Sequence, residues 1–369
     1  MKFKEVINCK HFDGYKPCKF QKKYNIACNE NCPYKVTPER RILIIKKGAM
    51  GEVLRCTPIL RKIKSIYPDS EIWWITDYPE LINENYVNKI LKFNWENYFI
   101  VKNTKFDIVY SLDKERISCA LANEVNADVK KGFKLKNGKI LPYDKDAYYL
   151  WKRGIDDDFM KKDKRHYIDE IFEVCGFKFE NERYILPPYK IPNVNIDKSK
   201  IVVGLNTGTS NIWKTRLWKK ENWIKLINLL QENNYEVVLL GGPQEDSLNR
   251  ELSRLTKAKY FGTFPLREFI GLVNLTDIVV TQVTFALHVA IGLGKKIVLM
   301  NNIFNKHEFY FYDLPHVIIE PDVPCKMCYK SDFDENCPVE NCMDLIKPEV
   351  VFRAVEKLSR KDILSRSNF

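Results

Sequence analysis

The chain has 369 residues, of which 45% are hydrophobic and 29% charged, a composition typical of a soluble globular protein with room for two domains. Its start has no apolar core of signal-peptide length, and the most apolar later stretch, residues 278–293, contains Thr281, Gln282 and His288. We therefore expect a cytoplasmic protein. The formal net charge of +12 favours an anionic partner, either nucleic acid, a nucleotide-sugar or an acidic membrane surface. No nucleic-acid-binding motif is present, which argues against nucleic acid.

Residues 1–40 are interpreted as a cysteine-rich N-terminal extension. This segment is short and polar, and it contains Cys9, Cys18, Cys28 and Cys32. Four thiolates in a compact loop suit a tetrahedral metal site, whereas disulfides would be reduced in the cytoplasm. We predict a structural zinc or iron here; the alternative is a set of reduced thiols under a loop.

Residues 41–190 are predicted to form the first α/β domain. Strand-like runs at 41–45, 71–76 and 106–112 alternate with stretches of helical periodicity, and a long helical and irregular region follows. The acidic run at 156–158 could be mistaken for a metal-binding motif, but its surroundings indicate the solvated start of a helix.

Residues 191–369 are predicted to form the second domain, after a Pro-rich polar hinge at 185–200. The alternation of strand and helix begins again here and continues to about residue 300. Two such halves predict an α/β protein with two parallel-sheet domains that face a central cleft.

The second domain contains the other clustered cysteines, Cys325, Cys328, Cys337 and Cys342, with the spacing C-x2-C-x8-C-x4-C. This spacing predicts a zinc or iron site more strongly than the N-terminal group does. Cys56, Cys119 and Cys175 lie in helical or apolar stretches and are interpreted as buried small side chains.

One strand-to-helix turn in the first domain carries an acid. The stretch KKGAMGEVLRCTP follows the strand at 41–45, and in parallel-sheet folds ligands bind where strands end and helices begin. Gly48 and Gly51 permit a tight turn or a close backbone approach. Glu52 then lies near a helix N-terminus, where it either complements the helix dipole or faces the cleft as a reactive group.

The first loop of the second domain suits a diphosphate. Residues 206–210 follow a strand and include the small residues Thr207, Gly208 and Thr209. Two cations, Lys214 and Arg216, come next, and positive groups beside a flexible loop favour phosphate binding.

Two further strand ends complete a predicted nucleotide site. At LLGGPQED, Glu245 follows Gly242 and could accept hydrogen bonds from ribose hydroxyls. At TQVTFALHVA a helix begins directly after a strand, so the backbone N–H groups near Thr284, Phe285 and Ala286 could point at phosphate oxygens. Each pattern is weak alone, and together they indicate a nucleotide.

In these motifs the chain resembles glycosyltransferase family 9, the ADP-heptose lipopolysaccharide heptosyltransferases. The resemblance rests on RILIIKKGAMGEVLRCTPILRKI, GLNTGTS with WKTRLWKKENWIKLINLL, VVLLGGPQE and DIVVTQVTFALHVAIGLGKKIVL. It implies a GT-B fold of two Rossmann-like domains and inverting transfer of a heptose from ADP-heptose to a hydroxyl of a glycan such as the lipopolysaccharide core. It also implies that no metal is needed at the reacting centre.

The resemblance assigns roles residue by residue. The family's catalytic carboxylate, usually Asp after the second glycine, falls on Glu52 next to Gly51. The phosphate-binding base falls on Arg216, the ribose-binding acid on Glu245, and the family's histidine on His288. The family's Asp-Thr pair falls on Val283 and Thr284; because Val283 cannot replace an acid, Gln282 is the candidate for that polar contact.

The acceptor stays open at this point. Lys46, Lys47 and Lys114 lie near strand ends and suit an anionic sugar, and the net charge is compatible with peripheral contact at the inner membrane face. Protein hydroxyls are an alternative acceptor. Two other classes also remain: a metal-binding or redox protein built around the cysteines, and an inactive sugar-binding relative.

Overall fold

The structure is a computed structural model that describes residues 8–209, 213–335 and 337–366, with side chains as far as residue 360. Ser210 of the predicted phosphate loop therefore lies outside the described residues. The strands are β1 (Arg41–Ile45), β2 (Glu71–Thr76), β3 (Lys89–Lys92), β4 (Lys105–Ser111), β5 (Asn126–Lys136), β6 (Lys139–Pro142), β7 (Val202–Asn206), β8 (Glu236–Leu240), β9 (Ile278–Thr281), β10 (Lys296–Met300) and β11 (His316–Ile319).

The helices are α1 (Lys19–Tyr24), α2 (Met50–Cys56), α3 (Ile59–Ile66), α4 (Trp95–Lys102), α5 (Arg116–Glu124), α6 (Tyr148–Arg153), α7 (Asp157–Lys162), α8 (Tyr167–Val174), α9 (Lys220–Glu232), α10 (Asp246–Thr256), α11 (Leu266–Asn274), α12 (Phe285–Gly292) and α13 (Pro348–Arg366). No helix among the described residues has the length and apolar character needed to span a membrane. The acidic run at 156–158 is a helix start as predicted, because the Asp156 carboxylate accepts from the backbone N–H of Phe159 at the beginning of α7.

The chain divides into two compact units. The first unit contains the described residues up to 48 together with 57–152 and 169–182, and the second contains 49–56, 153–168 and the chain from 183 onward. The predicted boundary between residues 190 and 191 remains a prediction. The segments 49–56 and 153–168 fall within the predicted first domain, but they pack with the second unit.

The first unit is built on a six-stranded sheet with the order β3-β2-β1-β4-β5-β6. The pairs are parallel except β5 with β6, which form an antiparallel edge. All six residues of β2, EIWWIT, are buried, as expected for a central strand covered on both faces. Trp73 packs edge-to-face on Phe106, with ring centroids 5.3 Å apart, within the core of this unit.

The second unit is built on a five-stranded parallel sheet with the order β11-β10-β9-β7-β8. Its core is formed mainly by β7, β8, β9 and β10 with α9 and α13. The direction of winding reverses between β7 and β9, and ligands of such sheets bind at the carboxyl ends of the strands at this switch point. The predicted pair of parallel-sheet α/β domains is confirmed.

All eleven cysteines of the sequence lie in the described part of the chain, and none of them forms a disulfide. Cys56, Cys119 and Cys175 are buried, as predicted.

Candidate active site

A side-chain hydrogen bond joins the loops that follow β7 and β9. The Asn206 side-chain amide donates to the carbonyl oxygen of Gly208 at 3.0 Å and to Thr284 Oγ1 at 3.3 Å. The hydroxyl oxygens of Thr281 and Thr284 are 3.0 Å apart. The sheet's switch point is therefore occupied by two of the predicted donor-binding loops.

Arg216 is a buried cation at this edge. Its Cζ lies 5.4 Å and 5.3 Å from the ring centroids of Trp213 and Phe304, and Nη1 donates to the carbonyl oxygen of Val283. Among the described residues no carboxylate pairs with this guanidinium, and its buried Nε–H has no acceptor. Burial lowers the pKa of Arg216 to about 10, so the group is charged at neutral pH. A buried charge without a partner is unfavourable, and an anionic ligand would compensate it.

Gln282 is a second buried polar group without a partner. Its side chain is fully buried at the end of β9, and neither Oε1 nor Nε2 has a hydrogen-bond partner among the described residues. An unsatisfied buried amide costs roughly 1–3 kcal/mol. Such groups are rare in folded proteins and commonly mark a site for a ligand or an unseen water.

The N-terminus of α12 adjoins both groups. Thr284 is the N-cap, and its hydroxyl bonds to Thr281 and Asn206 rather than capping the helix. The first backbone N–H groups of a helix, here from Phe285 and Ala286, have no partner within the helix. The Arg216 guanidinium binds the carbonyl of Val283, directly before this cap. A cation and a helix N-terminus therefore meet at one place, which suits an anion.

Glu245 lies against the glycine loop. Its Oε2 accepts from the backbone N–H of Gly242 at 2.8 Å, and a β-carbon at Gly208 would lie 2.1 Å from Glu245 Cγ. Burial raises the pKa of Glu245, while the N–H groups of Gly242 and of Glu245 itself oppose this shift. Only glycine fits at position 208 while this carboxylate stays where it is.

Three other predicted donor residues have protein partners. Thr207 Oγ1 donates to Asn249 Oδ1 at 2.5 Å, and Thr209 Oγ1 donates to the Trp213 carbonyl at 3.1 Å. The Lys214 side chain is 69% exposed and forms an ion pair with Asp332 at 3.3 Å. The threonines therefore shape the loop, and Lys214 does not share the buried position of Arg216.

Glu52 lies in the first turn of α2, within the second unit. Its side chain is 32% exposed, and Oε1 accepts from Arg55 Nη1 at 2.8 Å. Glu52 also hydrogen-bonds to Tyr167, whose pKa is raised by burial and then by the Glu52 charge. The carboxylate is thus oriented by two groups and still reaches solvent.

Arg55 is held from several sides. Nη2 donates to the Glu308 carbonyl at 3.2 Å, and Cζ lies 3.7 Å from the centroid of the Tyr167 ring. The Glu308 carboxylate binds Arg153 Nη2 at 2.6 Å. Burial acts against the charge of Arg55, but the carboxylates of Glu52 and Glu308 outweigh it and raise the pKa of Arg55. Arg55 is therefore a fixed cation beside Glu52.

Gly51 and His288 join α2 to α12. A β-carbon at Gly51 would lie 2.5 Å from Cδ2 of His288, so the helices touch at a point that only glycine permits. Burial, and then the positive charge of Arg55, lower the pKa of His288 to about 3 against the opposing charge of Glu52. The imidazole is neutral at physiological pH, and its Nδ1 lies 3.3 Å from the Tyr184 hydroxyl.

A family model, "Glycosyltransferase family 9 (heptosyltransferase)", matches residues 100–305 of this chain. That range covers more than half of the sequence. The chain belongs to glycosyltransferase family 9. It is therefore a glycosyltransferase, as the resemblance implied. Glu52 and α2 lie before the matched range, whereas Arg216, Glu245 and α12 lie within it.

Individual proteins resemble a larger part of the chain than the family model matches. The lipopolysaccharide core heptosyltransferase OpsX of Haemophilus influenzae is 20% identical over 281 residues, which cover 70% of this chain and 78% of that protein. A family 9 glycosyltransferase from Veillonella parvula has a TM-score of 0.65 at 17% identity, covering 88% of this chain and 98% of that one.

Two Escherichia coli structures extend this likeness. ADP-heptose lipopolysaccharide heptosyltransferase II has a TM-score of 0.62 at 14% identity, covering 87% of this chain and 99% of that one. The iron-containing dodecameric glycosyltransferase TibC has a TM-score of 0.53 at 13% identity, covering 88% of this chain and 77% of that one. The predicted GT-B type fold is thereby confirmed.

Sequence reasoning missed the groups that support Glu52 in this family 9 chain. The spacing of Glu52 and Arg55, three apart on a helix, is typical of an ion pair and could have revealed the first partner. Tyr167, Arg153 and Glu308 are distant in sequence and gave no sign of their roles.

The three lysines that were predicted to suit an anionic acceptor form ion pairs or hydrogen bonds within the first unit. Lys46 is buried, with Nζ 2.7 Å from Asp113, and Lys47 pairs with Asp77 at 3.0 Å and with Glu115 at 3.4 Å. Lys114 Nζ donates to the Leu150 carbonyl at 3.0 Å. These lysines therefore stabilise the ends of β1 and β4, and each of them bonds to a partner within the first unit.

The eight clustered cysteines are half-buried or exposed. Among the described residues, no group of three or more His, Cys, Asp or Glu side chains is arranged to hold a metal ion. The predicted zinc or iron sites therefore remain predictions.

Proposed function

We propose that this enzyme transfers a heptose from ADP-heptose to a hydroxyl of a cell-surface glycan such as the lipopolysaccharide core, with inversion at the anomeric carbon. The observation that carries the proposal is Arg216 at the start of α12, a buried guanidinium that no carboxylate in the described part of the chain pairs with. The names of similar proteins support the donor and the acceptor: OpsX is a lipopolysaccharide core heptosyltransferase, and a structure of the E. coli heptosyltransferase WaaC contains ADP.

The second unit supplies the positive charge that the leaving diphosphate needs. As the glycosidic bond to the diphosphate breaks, negative charge grows on the phosphate oxygens. Arg216 and the N–H groups of Phe285 and Ala286 would bind those oxygens, and Gln282 would add an amide contact. Because these groups are preorganised, the proposed chemistry requires no metal ion at the reacting centre.

Glu52 would act as the general base. An acceptor hydroxyl has a pKa far above 7, so its attack on the anomeric carbon is assisted by a carboxylate within hydrogen-bond reach. Arg55 and Tyr167 fix one side of the Glu52 carboxylate and leave the exposed side for the acceptor. The hydroxyl proton passes to Glu52, the oxygen bonds to the anomeric carbon, and ADP leaves from the opposite face.

Calorimetry with ADP, GDP, UDP and CDP tests the donor site. We expect ADP to bind most tightly. Arg216→Ala should lower the affinity for ADP by about 10-fold or more, which is the contribution of a charge-assisted hydrogen bond. Lys214→Ala is the matched control, because this cation of the same turn is exposed and paired with Asp332. Equal affinity of ADP for wild type and Arg216→Ala would remove Arg216 from the site.

A transfer assay tests the reaction itself. ADP-heptose is offered with truncated lipopolysaccharide cores, other glycans and protein hydroxyls, and the product is examined by mass spectrometry and by NMR of the new anomeric centre. A glycan carrying one added heptose of inverted configuration is the expected product. Modified protein would favour the alternative acceptor, and ADP binding with no product from any acceptor would favour an inactive sugar-binding relative.

The C-terminal cysteine segment would hold a structural zinc or iron beside the donor loop. The same segment binds the turn before Arg216, because Thr215 Oγ1 donates to the Lys330 carbonyl at 2.7 Å. Metal removal by a chelator should therefore weaken ADP binding; unchanged affinity after complete removal would contradict this role.

The proposed location is the cytoplasm, with peripheral contact at the inner face of the membrane. The net charge of +12 supports attraction to anionic lipid. Binding to vesicles containing anionic lipid should fall as salt rises, because screening shortens the range of surface charges. Binding that salt does not alter would contradict an electrostatic contact.

A further inference from the structure

The hairpin formed by β5 and β6 extends beyond the parallel strands of the first unit. β4 ends at Ser111, which pairs with Gly132 of β5, and β5 then continues as far as Lys136. At about 3.3 Å per residue, this extension is long enough to reach roughly 13 Å past the end of β4. Because β5 runs parallel to β4, the hairpin projects from the carboxyl edge of the sheet. Parallel sheets bind ligands at this edge, where the strand order reverses between β1 and β4.

Hydrogen bonds hold both strands of the hairpin in place. Its two-residue turn is Asn137-Gly138, with φ angles of 50° and 72°, the left-handed conformation that a type I′ turn requires. The Asn123 side-chain amide donates to the Leu135 carbonyl at 2.5 Å, and the Trp151 indole donates to the Ile140 carbonyl at 2.8 Å. The tip of the hairpin is therefore fixed to the body of the first unit.

Three lysines share one face of this tip. Side chains alternate between the two faces along a strand, so Lys134 and Lys136 lie on the same face of β5. Lys139 of β6 is the direct antiparallel partner of Lys136 and belongs to that face too. Lys136 and Lys139 are exposed, and Lys134 is half-buried, with Nζ 5.4 Å from the centroid of the Tyr143 ring. The tip therefore presents three cations on one side.

This arrangement is unfavourable unless an anion is bound. Like charges directly opposite each other on paired strands destabilise a hairpin. In the part of the chain that the structure describes, no carboxylate forms an ion pair with these three lysines, whereas Lys131 of the same strand has two carboxylate partners. Lysines on an edge strand also discourage pairing between molecules, but that role does not require a second cation opposite the first. A phosphate or carboxylate bound between the two would remove the repulsion.

We propose that Lys134, Lys136 and Lys139 bind phosphate or carboxylate groups of the acceptor glycan. This inference rests on the proposed function and names the class of acceptor that the first unit selects, a glycan that carries negative charge. The three lysines first predicted for this role have partners within the unit, and the hairpin lysines replace them. They act on the affinity for the acceptor and do not touch the reacting atoms.

The experiment uses the full chain and measures acceptor binding by calorimetry and transfer by kinetics. The probes are a truncated lipopolysaccharide core and the same core after dephosphorylation and carboxyl reduction, which removes its charges. Lys136→Gln with Lys139→Gln removes the two opposed cations, and Lys136→Arg with Lys139→Arg keeps their charge. Lys22→Gln with Lys23→Gln is the matched control, because this exposed pair on α1 removes the same amount of charge.

The Gln pair should bind the charged core about 10-fold or more weakly than wild type does. The KM for this acceptor should rise, while kcat and ADP affinity stay unchanged. The Arg pair and the control should resemble wild type, and the neutral core should bind equally to wild type and to the Gln pair. Added salt should weaken binding of the charged core more in wild type than in the Gln pair, because salt screens exposed charges.

Unchanged affinity of the Gln pair for the charged core would overturn the proposal, and so would equal binding of the charged and neutral cores to wild type. Aggregation of the Gln pair with normal acceptor affinity would assign the lysines to protection of the sheet edge and would overturn it as well. Wild type that binds the charged core but transfers no sugar to it would contradict the proposed function and leave the binding site in place, since binding is measured separately from transfer.

Discussion

Gly51 lies so close to His288 that a β-carbon at position 51 would be 2.5 Å from the imidazole Cδ2. The first turn of α2, which carries Glu52, therefore rests directly on α12, whose N-terminus adjoins Arg216. The position of the proposed base is set by the same helix that begins at the proposed phosphate site.

Gly51→Ala should lower turnover while leaving ADP affinity nearly unchanged. The methyl group would push α2 away from His288 and displace Glu52, and a misplacement of about 1 Å can cost about 10²-fold in rate. Steady-state kinetics and ADP calorimetry would measure the two effects. Gly48→Ala is the control, because a β-carbon there meets Tyr78 only at 3.4 Å. Full turnover in Gly51→Ala would show that the contact does not position the base.

Glu52→Gln should lower kcat by about 10²–10⁴-fold, the usual worth of general-base assistance. The amide keeps the shape of the side chain but cannot take a proton, so ADP affinity should be retained. Glu52→Asp restores the charge on a shorter side chain and should recover part of the activity. Near-normal turnover in Glu52→Gln would remove the base assignment.

Arg55→Met should move the acid limb of the pH–rate profile to higher pH. Loss of the neighbouring cation favours the protonated form of a carboxyl group, so Glu52 would need a higher pH to act as a base. Arg55→Lys keeps the charge and should return the limb toward its original position. A purely structural role would lower the amount of folded enzyme and leave the shape of the profile unchanged.

Gln282→Met should stabilise the ligand-free enzyme and weaken donor binding. The buried amide lacks hydrogen bonds in the described structure, so an apolar side chain of similar length relieves a cost of about 1–3 kcal/mol. Thermal unfolding without ligand and calorimetry with ADP-heptose would measure both effects. A lower melting temperature together with normal donor affinity would show that Gln282 serves the fold.

His288→Asn should make stability less sensitive to acid. The pKa of His288 is lowered to about 3 in the folded protein, against about 6.5 when unfolded, so the unfolded state binds the proton more readily. His288 therefore disfavours folding increasingly as pH falls below about 6.5, by about 2 kcal/mol at pH 5. Denaturant unfolding at pH 7.5 and 5 should show a smaller difference in the variant. His316→Asn, at an exposed histidine, should match wild type.

The central strands could be predicted because parallel strands buried on both faces are continuous apolar runs. The runs at 41–45 and 71–76 became β1 and β2 with the same bounds. β5 and β6 were missed within a region interpreted as helical and irregular. β5, NADVKKGFKLK, is lysine-rich and mostly half-buried or exposed, so its composition does not resemble that of a core strand.

The donor loops could be predicted because each lies beside its strand in the sequence. Arg216 and Gln282 were identified from motif and position, but their burial without partners depends on the packing of residues far along the chain. The same holds for the support of Glu52, since Tyr167 and Glu308 reach Arg55 only after the chain has folded. Lys46 was interpreted as suited to an anionic sugar and instead pairs with Asp113, a residue from the end of another strand.

The contact between Gly51 and His288 also has a consequence for biosynthesis. Residues 57–284 are translated after α2 and before α12, the helix on which α2 rests. Contacts of such long range form late in folding. A nascent or truncated chain that ends before α12 would thus bear Glu52, the proposed base, without the helix that sets its position.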